Sequence, residues 1–362
     1  MFRRVICLLT VFILLCTAAA AVPALPSGNG EFSSALARYL LSLSSGYTAS
    51  ETASQLAREG FATLVQAHYD KPDSDPGHTC AFTLARADGA PPLYLLVIRG
   101  TAAGEWYSNF DFAPSHNGET PFAENFLYCA QDVLLAVRPY LEAEPDAVWL
   151  VTGHSRGAAC ANLFGLLLNA VRSPSLNYIY TSATPATLRS DMPAEDSNIF
   201  NLINPLDIVP KMPLAAWGYR RAGTDILLPA DTPRAEKLAE EVGTLAELSP
   251  RLEDYYTQRH LLTGPGTGED GLTVFEIMTL FAGALADMTV TGGGQPAAEN
   301  RLPDTISPDS DLAPLADRLA TLAEKDGLSR LLQQHMPDMY AALLTQAAGK
   351  ERTEGGPDDG VY

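Results

Sequence analysis

A chain of 362 residues, 46% of them hydrophobic, can bury a large core, and its length fits one large α/β domain with insertions. Its formal charge of -19 argues against a nucleic-acid partner and against docking on anionic lipid through a basic patch. Cys80, Cys129 and Cys160 show neither CxxC nor Cys/His spacing, so no metal motif is legible.

Residues 1–21 have the layout of a secretory signal: Arg3 and Arg4, an apolar run from Val5 to Leu15, then the small residues Ala18 to Ala21. The expected cut is after Ala20 or Ala21, which makes the mature protein extracellular, with a retained membrane anchor as the alternative. The three later cysteines are then an odd number, so at least one stays a thiol unless it pairs with another chain; a Cys80 to Cys129 disulfide is one pairing open to them. Cys160, among small residues, reads as core filler.

Apolar residues recur every three or four positions over Glu31–Leu43 and Ser50–Arg58, which predicts two short helices. The β-branched and aromatic stretches Phe61–Tyr69 and Thr79–Ala87 predict antiparallel strands, and the continuous apolar run Leu93–Arg99 predicts a strand buried on both faces. A loop carrying Trp106, Asn109, Asp111 and His116 follows, with the composition of a site or lid. A helix is expected over Phe122–Leu141 and strands over Leu176–Ala183 and Asn198–Ile203. This alternation predicts a mostly parallel sheet covered by helices on both faces.

Helices are also expected over Pro233–Leu248 and Leu272–Met288, within an insertion at about 214–315 that ends in a linker rich in Gly, Pro and Asp. Further helical turns are expected over Ala316–Glu324 and Leu328–Gln334. A last helix over Pro337–Gln346 closes the 22–346 domain, and the polar, glycine-rich tail 347–362 reads as disordered. The helix carrying Phe275, Ile277, Met278, Leu280 and Phe281 fits either a core element or a lid.

The chemistry is concentrated in VWLVTGHSRGAACANLF, Val148 to Phe164. Strand, GHSRG turn and alanine-rich helix form the order of a nucleophile elbow with Ser155 at its tip. Gly153 and Gly157 leave no side chain where strand and helix pass closest, and the helix start offers free N–H groups to a developing oxyanion. A serine nucleophile needs a base and an acid to orient that base. In this chain order they follow the serine, which leaves His335 and His260; His335, two residues ahead of Pro337, is the better perched. His154 is expected to point away across the turn. Asp207, exposed by the turn after the strand in NIFNLINPLDIVPKMP, is the acid of choice, since Asp191 and Asp196 precede the strand. The backbone N–H of Arg156 and the N–H and hydroxyl of Thr101 are the expected oxyanion donors.

These segments together resemble the class 3 lipase family, which includes the fungal triacylglycerol lipases, and in particular its secreted bacterial members. IRGT at Ile98–Thr101 is similar to that family's oxyanion segment, EWYSNF at Glu105–Phe110 to the loop after it, GHSRGAACANL at Gly153–Leu163 to its elbow and NPLDIVP at Asn204–Pro210 to its acid turn. HMPDMY at His335–Tyr340 resembles the histidine segment of the bacterial branch. The resemblance implies an α/β-hydrolase fold, an ester-cleaving Ser155, Asp207 and His335 triad, and oxyanion donors at Thr101 and Arg156.

Arg156 stands where the family usually has leucine, and its guanidinium is expected to pair with a carboxylate or meet an anionic head group. NGETPFAENF replaces a compact HxGF. The expected function is a serine carboxylic-ester hydrolase without cofactor or metal, with a lipid or other ester substrate and transient contact with a lipid surface. A peptidase, a thioesterase and a noncatalytic binding module on the same scaffold are the alternatives.

Overall fold

The computed structural model describes residues 22–69, 79–101, 122–189, 196–212, 218–236 and 333–354, with isolated positions at 215 and 239. The expected signal segment, the loop with Trp106, Asn109, Asp111 and His116, His260, and most of the 214–315 insertion lie outside the described residues.

Two capped helices open the described chain. In α1 (Ser34–Leu43) the Ser33 side chain accepts the Leu36 N–H. In α2 (Ala49–Arg58) Thr48 and Glu51 form a reciprocal capping box. Strands β1 (Ala62–Ala67), β2 (Phe82–Ala87) and β3 (Leu93–Ile98) then form a meander in which β2 runs antiparallel to both neighbours. Helix α3 (Glu124–Ala143) leads to β4 (Val148–His154), α4 (Arg156–Val171), β5 (Asn177–Ser182) and, past the short β6 (Leu188–Arg189), β7 (Ile199–Ile203). After β8 (Tyr219–Arg220) and β9 (Thr224–Leu227), the last described helix is α5 (Pro337–Glu354). It runs past Gln346, where the sequence places its end.

The seven-stranded sheet has the order β1-β2-β3-β4-β5-β7-β9, parallel from β3 onward. Strands β6 and β8 pair separately. The mostly parallel, helix-covered sheet expected from the sequence is therefore present.

Because strand side chains alternate between faces, each apolar strand supplies two cores. Tyr94, Leu96, Ile98, Trp149 and Val151 pack on one face with α3 and α4. Leu95, Val97 and Leu150 pack on the other with Leu36 and Leu40 of α1 and Tyr340 and Leu344 of α5. Helix α5 is thus sealed against the same face as α1, which fixes the residues just before it relative to the sheet.

Candidate active site

The elbow is imposed by backbone crowding. A Cβ on Gly153 would lie 2.3 Å from the Gly157 carbonyl oxygen, and one on Gly157 would lie 2.2 Å from that of Ile98. Only glycines allow β3, β4 and α4 to converge so closely. Ser155, between them, takes φ 57 and ψ -123, a strained conformation for a residue with a side chain. The Ser155 N–H donates to the Ser182 carbonyl on β5, so the strained residue is tied to the sheet.

At the carboxyl edge of the sheet the structure brings three of the sequence-predicted residues into one line. His335 Nε2 lies 2.8 Å from Ser155 Oγ, and His335 Nδ1 lies 2.8 Å from Asp207 Oδ2. All three are buried. With Nδ1 protonated toward the carboxylate, Nε2 is left to accept the serine proton. Asp207 is further held by the Val209 N–H, which donates to Oδ1 at 2.9 Å.

Two residues that sequence reasoning passed over complete the support. The Tyr340 hydroxyl donates to Asp207 Oδ2 at 2.7 Å and accepts the Asn204 N–H at 3.3 Å. Burial and the Asp207 charge hold that phenol well above its usual range, so it stays a donor. Asn204 clips the acid turn to the histidine segment: its Nδ2 donates to the carbonyl and the side-chain oxygen of Gln334, while its Oδ1 accepts the Leu206 N–H. The available signals were Asn204 opening an NPLD turn and Tyr340 at apolar spacing in a helix; neither reveals a partner so distant in sequence.

His154 reaches Ser182 on the neighbouring strand and packs behind His335. Its ring lies 5.0 Å from that of His335 and edge-on to Tyr340, with Nδ1 3.1 Å from Ser182 Oγ. It therefore backs the His335 ring. Burial, then the neighbouring His335, push its pKa well below the usual imidazole value.

Arg156 follows the serine, and Thr101 follows Gly100, where an added Cβ would lie 4.0 Å from Ser155 Cβ. Thr101 is buried and follows β3, whose last carbonyl abuts Gly157, and Arg156 is the first residue of α4, so its N–H belongs to the first turn of that helix. The Arg156 guanidinium turns into the core, where Nη2 donates to the Thr79 carbonyl at 3.2 Å and lies 3.3 Å from Cys129 Sγ, with Phe126 beneath it. This corrects the head-group expectation: the cation is buried on α4's inner face and not presented at the protein surface. Cys80, Cys129 and Cys160 are all free thiols, which removes the Cys80 to Cys129 disulfide.

A parallel sheet carrying a strand, strained serine and helix in immediate succession defines an α/β-hydrolase. Residues 95–217 match the family model of the class 3 lipases. The secreted mono- and diacylglycerol lipase A of Penicillium camembertii is 27% identical over 170 residues, covering 44% of this chain and 54% of that protein. A Rhizomucor miehei lipase is 25% identical over 171 residues, covering 41% and 45%. The chain thus spans about half the length of the curated relatives it matches. Among solved structures, a triacylglycerol lipase aligns with TM-score 0.42 and 23% identity over 54% of this chain and 80% of that one. The Rhizomucor miehei lipase in its propeptide complex aligns with TM-score 0.42 and 22% identity over 54% and 68%. His335 and the HMPDMY segment lie beyond the matched family region.

Proposed function

We propose that the protein is a secreted serine hydrolase of carboxylic esters, with acylglycerols among its substrates, and that Ser155, His335 and Asp207 are its catalytic triad. The observation that carries this reading is the buried chain Ser155 Oγ, His335 Nε2, His335 Nδ1, Asp207 Oδ2 at successive 2.8 Å contacts. His335 takes the Ser155 proton as Oγ attacks the ester carbonyl, and Asp207 stabilises the imidazolium. The oxyanion lies between the N–H groups of Thr101 and Arg156, each donor contributing about 3 kcal/mol in the transition state. The alcohol leaves with the His335 proton, and water, activated in turn by His335, releases the acid. No metal or organic cofactor enters any step.

The lipid side of the proposal rests on the family match and on the acylglycerol substrates in the Penicillium relative's name. That relative is secreted, as the 1–21 segment predicts for this chain, and no described helix is long and apolar enough to cross a membrane.

Turnover of p-nitrophenyl esters of graded chain length tests the reading. Wild type is expected to hydrolyse them, and Ser155→Ala and His335→Ala are each expected to lose at least about 10⁴-fold in kcat/KM. Full activity in either variant would remove that residue from the mechanism.

A further inference from the structure

The three described cysteines come from three separate elements and meet at one point. Cys80 precedes β2, Cys129 lies on α3 and Cys160 on α4, yet their sulfurs all lie within 4.8 Å of one another in the core beneath the elbow. All three belong to one hydrophobic core, yet apolar filling alone does not require a sulfur at each of three adjoining positions. We propose that Cys80, Cys129 and Cys160 form a three-thiolate site for a thiophilic divalent cation of the zinc group.

The geometry is close to that of a coordination site. Since no side of the sulfur triangle exceeds 4.8 Å, some point lies within about 2.8 Å of all three sulfurs, and small χ1 rotations bring that to the roughly 2.3 Å of a zinc–sulfur bond. The donor set is wholly soft, which selects this class of ion over magnesium or calcium. The charge also balances: three thiolates and a divalent ion carry one net negative charge, and the Arg156 guanidinium, with Nη2 3.3 Å from Cys129 Sγ, offsets it within the core.

A disulfide fits the arrangement less well, because it would use two sulfurs and strand the third. Thiolate ligation releases the thiol protons to solvent as the ion binds. Because all three sulfurs are buried, the ion is loaded as the chain folds.

The test is to refold untagged, reduced full-length protein anaerobically with one equivalent of Cd²⁺, followed by desalting. The expected result is one retained cadmium per chain, a sulfur-to-cadmium charge-transfer band and a raised melting midpoint. The single variants Cys80→Ala, Cys129→Ala and Cys160→Ala are each expected to weaken retention at least about 100-fold; the wild-type readings stand even if a variant misfolds. The proposal is overturned if wild type retains no stoichiometric cadmium, or if folded variants retain it as wild type does. It is also overturned if protein purified under argon is two hydrogens lighter through a disulfide within the trio.

Discussion

Ser155 carries backbone strain that the surrounding contacts have to hold, and the His335 and Asp207 pair is backed by the Tyr340 hydroxyl and the Asn204 clip. Tyr340 is the clearest of these positioning residues, since its hydroxyl shares Asp207 Oδ2 with His335 and receives the Asn204 N–H. Tyr340→Phe leaves both groups short of a partner in a buried site. It is expected to destabilise the fold by about 2 kcal/mol and to lower kcat on esters about tenfold with KM unchanged, while shifting the acid limb of the pH profile. Equal kcat per folded molecule would reduce Tyr340 to a packing role. His154 gives a pH signature of its own. Its folded pKa is lowered, so below about pH 6.5 the unfolded chain binds a proton that the native site refuses, and stability falls with pH by up to about 1.4 kcal/mol per pH unit. The stability measured by denaturant unfolding at pH 7 and pH 5 should therefore drop more in wild type than in His154→Gln; equal drops would contradict the neutral, buried histidine.

Among the elements, those built on strong local signals were legible in the sequence. The apolar run Leu93–Arg99 became a strand buried on both faces, and the Gly153 and Gly157 spacing announced an elbow that the packing confirms as sterically obligatory. Gly153→Ala or Gly157→Ala drives a methyl into backbone that has nowhere to move. Each is expected to cost at least about 3 kcal/mol and to leave little soluble protein, read as the loss of a cooperative melt. A native-like melt for Gly157→Ala would mean that β3 and α4 are less tightly opposed than their contact implies. Strand β9 went unforeseen because Thr224–Leu227 is short, largely exposed and lacks apolar alternation. The β6 and β8 pair, two residues long on each side, carries no periodic signal at all. The packing of His154 behind His335 was not legible, because its direction is set by Ser182 on the neighbouring strand, a contact that local sequence does not encode.

At the scale of the whole molecule, the site is a meeting of distant parts. Ser155 comes from the β4 to α4 turn, Asp207 from the turn after β7 and His335 from the segment ahead of α5. Chain order and motif chemistry were enough to nominate them. What composition could not show is how they are locked, because the Asn204 to Gln334 clip and the Tyr340 to Asp207 bond each span more than a hundred residues. The convergence of the cysteines was hidden for the same reason, since their spacing along the chain follows no metal motif. The central claim is that Ser155 is a nucleophile activated through His335. It is tested most directly by treating the protein with an organophosphonate ester and locating the adduct by peptide mass spectrometry. The account predicts a single stoichiometric adduct on Ser155 that is abolished in Ser155→Ala and slowed at least about 10³-fold in His335→Ala. Protein that stays unmodified at Ser155, or that is modified as fast without His335, would contradict it.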